Sequence, residues 1–375
     1  MDKDPPSKGE PLEGLGPRPE GVLRKGYTTG ACATAATKAA VIGLCTGTVP
    51  RSVEIILPRG EHVRFAIHRS ELNPGRAFCS VVKDGGDDPD VTNGAEICVA
   101  VEPSGQPGLH LEGGEGVGVV TKPGLGLTVG GPAINPVPRQ MITAAAREAL
   151  ALYDRPEALR IVVSIPGGAD LARRTLNPRL GIVGGLSILG TTGIVEPYSV
   201  SSYMASIKKG MDVAWETGCK SAVLSTGRRT ERFAQSLLDL PEEAFIEVAD
   251  FMGYGLECAA ERGFQEVYVS ALIGKISKMA KGDLGTHSRE VATDLGFLAQ
   301  LAREAGAEAD LARRMAAANT ARSVLELAQE AGLARFPEVL AARTATACRA
   351  AVAGRLPVTV LFFDFDGTLL GTACG

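Results

Sequence analysis

Past residue 150 the sequence falls into a rhythm that few folds can satisfy. RIVVSIP (160–166), SAVLSTG (221–227), EVYVSALIG (266–274) and PVTVLFFDFDG (357–367) are short runs rich in Val and Ile, and stretches of helical pattern lie between them. YMASIKKGMDVAWETG, RTERFAQSLLDL and EVADFMGYGLECAAERG read as three of those helices, and a run of further helices is expected over 288–353. Strand–helix alternation predicts a parallel, Rossmann-like α/β domain over 141–375, with another strand near GIVGGLSILG (181–190). Ligands of such sheets sit in the crevice beyond the carboxyl ends of the strands, so the loops after the strands are where chemistry is expected.

The earlier part reads differently. SVEIILP, HVRFAIHR, AFCSVVKD and AEICVAVEP are strand-like, with turns at Pro58-Arg59-Gly60, Asn73-Pro74-Gly75 and Gly85-Gly86-Asp87-Asp88-Pro89 between them. Before them, TTGACATAATKAAVIGLC is a small, apolar helix that Thr28 or Thr29 can cap. This predicts an α+β domain over 21–140, preceded by a Pro-rich flexible tail at 1–20. The fold class expected is therefore α/β: an α+β N-terminal domain followed by a Rossmann-like C-terminal one.

Composition removes several classes of function. With 39 basic against 43 acidic residues and a net charge of −4, there is no cationic excess for nucleic acid. No apolar run reaches the ~18 residues of a membrane span, and the opening residues lack the apolar core of a secretory signal. The eight cysteines are scattered singly, without CxxC spacing, as expected of buried thiols in a reducing cytoplasm. With four histidines, no resident metal centre is expected.

Four glycine-containing loops follow strand-like runs: Pro166-Gly167-Gly168-Ala169, Leu189-Gly190-Thr191-Thr192-Gly193, Ser225-Thr226-Gly227-Arg228 and Leu272-Ile273-Gly274-Lys275. Set along one alternating segment, they predict a shared crevice where backbone amides meet a ligand. LEGGEGVGVV (111–120) imitates a nucleotide-binding glycine motif, but VVTKPGLGLTVGG follows where a helix is required; it reads as strand–turn–strand or as a loop lining a ligand. KDGGDDPDVTNG packs Asp84, Asp87, Asp88 and Asp90 together, either as a solvated turn or as carboxylates that handle protons. Lys275, Lys278 and Lys281 recur along one side of a short helix, and Arg228, Arg229 and Arg232 form a second basic group; each is an exposed face or a set of anchors for carboxylates. His287 follows closely as an acid–base candidate. DFDGT at 364–368 imitates a phosphatase nucleophile motif, but too little chain follows to supply its partners, and it reads as a strand end with a turn.

GYTTGACATAATKAA (26–40), VVKDGGDDPDVTNG (81–94), GGEGVGVVTKPGL (113–125), PAINPVPRQMI (132–142), LGTTGIVEPYS (189–199) and GKISKMAKGDLGTHS (274–288), in that order, resemble the cobalt-precorrin-5B C1-methyltransferase family, CbiD. The resemblance spans about 21–370. It implies transfer of a methyl group from S-adenosyl-L-methionine to C1 of a cobalt-bearing corrin precursor, giving cobalt-precorrin-6A, on the early-cobalt-insertion route to cobalamin. The cobalt arrives with the corrinoid substrate.

The residues fit that implication. A polycarboxylate macrocycle needs local cations on a net-acidic protein. In-line displacement at a sulfonium needs held geometry more than a reactive side chain, since well-oriented partners gain effective molarities of ~10⁵–10⁸ M. The expected donor-binding residues are Gly167, Gly168, Gly190, Thr191, Thr192, Gly193, Glu196, Thr226 and Gly227. The macrocycle is expected between the domains, against Thr28, Thr29, Arg228, Lys275 and Lys278. Asp87, Asp88 and His287 are the proton-handling candidates. A cytoplasmic enzyme, a homodimer allowed, is the expectation; a nucleotide-dependent enzyme of another class and a non-catalytic corrinoid-binding protein are the alternatives.

Overall fold

The computed structural model describes residues 21–285 and 293–375, and the chain divides into two units, Met1–Ser199 and Val200–Gly375. The tail expected over 1–20 lies outside the described residues. The division falls well past the boundary expected near residue 140.

The first unit runs β1 (Gly26–Tyr27), α1 (Thr29–Thr46), β2 (Ser52–Ile56), β3 (His62–Ala66), β4 (Arg69–Asn73), β5 (Arg76–Val82), β6 (Glu96–Pro103), β7 (Gly108–Gly113), β8 (Val119–Val120), α2 (Pro136–Leu152), β9 (Ala158–Ser164), α3 (Gly168–Ala172), β10 (Ile182–Val183) and β11 (Ile194–Val195). Its main sheet has the order β4-β5-β6-β9-β7, antiparallel except for the β9–β7 pair. Helix α1 starts at a Thr28 cap, and every residue from Thr29 through Val41 is buried. The alanines explain this: with no side-chain bulk, α1 packs at once on α2 and on β5 and β6. Lys38, a charge on that buried helix, donates to the Glu54 carbonyl and to Glu148 of α2, both at 2.8 Å.

RIVVSIP therefore belongs to a different sheet from the one expected. It forms β9, with Val99 of β6 opposite Val163 on one side and β7 on the other. Alternation marks a strand; it does not name the partner. The strand expected near 181–190 shrinks to the two residues of β10, paired with β8, because Gly181, Gly184, Gly185 and Gly190 interrupt it. LEGGEGVGVV is strand–turn–strand, β7 to β8. β4 is exposed along its whole length and carries no apolar alternation to announce it.

The second unit runs α4 (Val200–Glu216), β12 (Ser221–Ser225), α5 (Arg228–Leu237), a 3₁₀ turn (Glu242–Ala244), β13 (Phe245–Glu247), α6 (Met252–Arg262), β14 (Glu266–Leu272), α7 (Ile273–Ala280), α8 (Leu295–Glu304), α9 (Ala309–Ala316), α10 (Ala321–Glu330), α11 (Arg335–Ala351), β15 (Val358–Phe363) and β16 (Leu369–Cys374). The sheet order is β13-β12-β14-β15-β16, parallel up to β15 and closed by antiparallel β16. Here the expected Rossmann-like architecture is present. Right-handed crossovers put α5 on one face and α6 and α11 on the other, and α11 packs on α6 and α7. DFDGT turns β15 into β16, with Asp364 N–H donating to the Thr368 carbonyl at 2.8 Å. Among the described residues no helix is long and apolar enough to cross a membrane.

Candidate active site

In the first unit three separated segments meet: 24–30, 83–94 and 187–198. Tyr27 N–H donates to Asp84 O at 2.7 Å, Thr28 N–H to Gly193 O at 3.0 Å and Gly30 N–H to Leu189 O at 3.1 Å. β1 pairs antiparallel with β11 beside them. The approach is so close that a Cβ on Gly86, whose φ is +69°, would stand 2.2 Å from Arg24 O.

Each carboxylate of the 84–90 loop has a partner, and Asp84 and Asp87 are also exposed to solvent. Arg24 grips Asp84 with two guanidinium bonds of 2.5 and 2.9 Å, and its own N–H donates to Asp87 Oδ2 at 2.6 Å. Tyr198 N–H donates to Asp88 Oδ1 at 2.9 Å, from a backbone held at φ 56°. Lys83 Nζ donates to Asp90 Oδ2 at 2.7 Å, and Thr92 gives Asp90 Oδ1 both its N–H and its hydroxyl, at 2.8 and 2.7 Å.

These partners separate the acids. The Arg24 hydrogen bond, helped by Gly86 N–H, holds Asp84 below the usual carboxylate range. Burial works against ionised Asp90, yet Lys83 and Thr92 outweigh it and hold that carboxyl low. Burial pushes half-buried Asp88 the other way, upward. Asp88 is half-buried, whereas Asp87 is exposed.

Several residues expected to bind ligand have partners within the chain. Thr28 and Thr29 are 4% and 2% exposed. The Thr28 hydroxyl accepts from Ala31 N–H at 3.2 Å; that of Thr29 accepts from Leu189 N–H at 2.9 Å. Gly190 is backed onto Thr28 Oγ1, 2.3 Å from where a Cβ would stand, and Gly193 onto Leu57 at 2.6 Å. Gly168 is backed onto Gly116 O at 2.3 Å, and Gly167 leads into the five-residue α3. Thr192 caps Ile194 N–H at 3.2 Å, Thr191 is exposed, and Glu196 is ion-paired with Lys25 at 2.9 Å. Thr29→Val is expected to lower stability by about 1–3 kcal/mol by leaving the Leu189 N–H unsatisfied, read as a fall in urea midpoint; an unchanged midpoint would contradict the geometry.

The four glycine loops, expected to share one crevice, divide between the two units. The loops at 166–169 and 189–193 belong to the first unit, those at 225–228 and 272–275 to the second. The place of β9 in the first sheet accounts for the loop at 166–169.

In the second unit, a small open pocket lies beyond the carboxyl ends of the parallel strands. Thr226 after β12, Ala249 and Asp250 after β13, Lys275 and Lys278 on α7, and Asp283 contribute to its wall. Lys275 is ion-paired with Asp250. Lys281 does not share that face: α7 ends at Ala280, and Lys281 turns to Asp294 at 2.5 Å. Gly227 caps α5 and Arg228 is exposed at its first position. His287 lies outside the described residues. Asp250 and Asp283 were not anticipated; Asp250 was hidden because EVADFMGYG reads as continuous helix, yet β13 ends inside it. Among the described residues no three His, Cys, Asp or Glu side chains are grouped to hold a metal ion.

Comparison with known proteins covers nearly the whole chain. The CbiD family model matches residues 17–197, and the model for the CbiD C-terminal domain matches residues 285–374. The cobalt-precorrin-5B C(1)-methyltransferase of Geobacillus kaustophilus is 48% identical over 94% of this chain and 95% of its own length. That of Rubrobacter xylanophilus is 48% identical over 92% of this chain and 89% of its own. The crystal structure of a cobalamin biosynthesis protein (cbiD) from Archaeoglobus fulgidus aligns with a TM-score of 0.40 at 27% identity, covering 70% of this chain and 81% of that one.

Proposed function

The chain belongs to the CbiD family, and we propose on that premise that it transfers a methyl group from S-adenosyl-L-methionine to C1 of cobalt-precorrin-5B, giving cobalt-precorrin-6A. The observation that carries the reading is the 48% identity to a cobalt-precorrin-5B C(1)-methyltransferase across 94% of the chain. We assign the donor to the second unit, where Thr226, followed by the α5 cap Gly227, lines a pocket whose wall holds both signs of charge. The mixed wall fits a donor that is itself a zwitterion with a sulfonium.

When bound, S-adenosylmethionine supplies the methyl group on an already activated sulfur. The protein's part is to fix the direction of approach and to exclude water, the contribution for which effective molarities of ~10⁵–10⁸ M are attainable. Lys278 and Arg228 supply point charges for carboxylates. Asp88, with its raised affinity for a proton, accepts or returns one at the ring, and Asp87 and His287 are the other candidates for that role. The reading carries with it a cytoplasmic enzyme acting on a free corrinoid.

Incubating the protein with methyl-labelled adenosylmethionine and cobalt-precorrin-5B is expected to put the label on C1. A protein that binds the macrocycle but leaves it unlabelled would be a corrinoid carrier, and the reading would fall.

A further inference from the structure

We propose that one face of the corrinoid substrate rests on the β8–β10 ribbon of the first unit, its apolar ring against Val119 and Val183 and its carboxylates toward Lys122, Arg174 and Arg179; this rests on the methyltransferase reading above.

The surface comes from strand pairing. β8 and β10 run antiparallel, with Val119 opposite Val183 and Val120 opposite Ile182. Residues directly opposite each other point to the same side of such a pair, and here the two sides differ. Val120 and Ile182 are 0% and 5% exposed, whereas Val119 and Val183 are 44% and 56% exposed. Val119 also bridges to Pro132, which carries the surface across a third segment. Beyond Val183, Gly184 turns at φ +80° with nothing within 4 Å of where a Cβ would stand, so bare backbone extends the face. Contiguous exposed apolar surface with a polar rim marks a binding face.

The rim is cationic. The stretches that supply the ribbon, 116–139 and 171–195, hold five basic residues and no acid, in a chain whose net charge is −4. Lys122 follows β8 and lies along Gly181, where a Cβ would stand 2.4 Å from Lys122 Cγ. Arg179 is in the turn that enters β10, closed by Ile182 N–H donating to Asn177 O at 2.8 Å. Arg174 is exposed just past α3. Asp170 and Glu196, the acids at the two edges of the second stretch, are ion-paired with Arg173 and Lys25.

An apolar centre with cations around it matches a corrin, whose flat ring carries acetate and propionate arms. Neither stretch contains Phe, Trp or Tyr. Single-stranded nucleic acid is held by stacking on aromatic rings, and a bilayer interface by Trp or Phe beside Lys and Arg, so those partners fit this face less well. The face also leads to the candidate acid–base loop. The segment 187–198, which follows the ribbon, ends at Tyr198, whose N–H holds Asp88.

Titration of the full chain with cobyrinic acid, a stable corrin with free carboxylates, tests the assignment through the corrin absorbance. Val183→Asp sets a like charge under the ring's carboxylates and is expected to weaken binding at least about tenfold. Arg174→Gln is expected to weaken it about 2–5-fold and to make it less salt-dependent. In turnover, Val183→Asp should raise KM for cobalt-precorrin-5B by a similar factor and leave kcat within about threefold, as for a contact made equally in ground and transition states. S-adenosylhomocysteine binding should stay unchanged, and thermal melting checks that each variant is folded. Wild-type corrin binding and wild-type KM in Val183→Asp, or equal loss of cobyrinic acid and S-adenosylhomocysteine, overturn the proposal and leave the methyltransferase reading intact. So does a Val183→Asp chain that keeps the corrin but loses self-association in ultracentrifugation, which makes the face a contact between copies. A wild-type chain that puts no label on the macrocycle removes that reading itself.

Discussion

Lys83→Met is expected to destabilise the first unit by about 3 kcal/mol. The Lys83 side chain is 2% exposed and that of Asp90 is 25% exposed, and they are joined at 2.7 Å. Removing one member of a buried ion pair leaves the other charge desolvated, at about 3–5 kcal/mol; the water left to Asp90 puts this pair at the low end. The sign with pH follows from Asp90. Its carboxyl is held below its ordinary value in the folded chain, so its contribution is complete above the unfolded value of 3.8 and is lost as pH falls through the lower, folded one. In Lys83→Met the pull that lowered it is gone, and that acid dependence should flatten. Adding Asp90→Leu removes the orphan charge but leaves the Thr92 N–H and hydroxyl without their acceptor, so the double variant should regain only part of the loss. Urea unfolding at neutral and acid pH measures all three. A single-variant loss under about 1 kcal/mol would mean that Asp90 is solvated rather than clamped.

Asp88→Asn is expected to lower turnover by about 10²–10⁴-fold, the usual scale for a lost general acid or base. It should do so without loss of stability. Burial raises the Asp88 carboxyl, so in the folded chain the ionised form is the disfavoured one and destabilises at every pH above the unfolded value. Asparagine removes that burden and keeps an oxygen for the Tyr198 N–H. With Asp88 as the base, the wild-type rate should therefore fall on the acid side at a pH above that of an unburied aspartate, and the acid limb should vanish in the variant. A variant that loses rate and melting temperature together would show Asp88 to be a strut for the 198 backbone and nothing more.

The sequence made some of this legible and hid the rest for definable reasons. β12 and β14 stand out because Val-rich runs end at glycine, and α1 because a threonine cap precedes alanines. β9 was equally visible as a strand, but its partners at Cys98–Pro103 and Gly108–Gly113 are a matter of long-range register that local pattern does not encode. The glycines at 168, 190 and 193 were read as openings for a ligand. Small residues give the same signal wherever two backbones touch, and here they touch Gly116, Thr28 and Leu57. The four aspartates of 84–90 were conspicuous by spacing, yet what distinguishes them is Arg24, Lys83 and the Tyr198 amide, two of which are distant in the chain.

The pairing of Gly26–Tyr27 with Ile194–Val195 has a consequence for biogenesis. The first helix cannot acquire the neighbours of its opening turn until the ribosome has delivered almost the entire leading half of the polypeptide. At about 5–20 residues per second that wait is on the order of ten seconds or more, during which a stretch of bare alanines is in reach of chaperones. Nascent chains arrested before residue 190 should therefore stay protease-sensitive, and those released past 199 should become resistant.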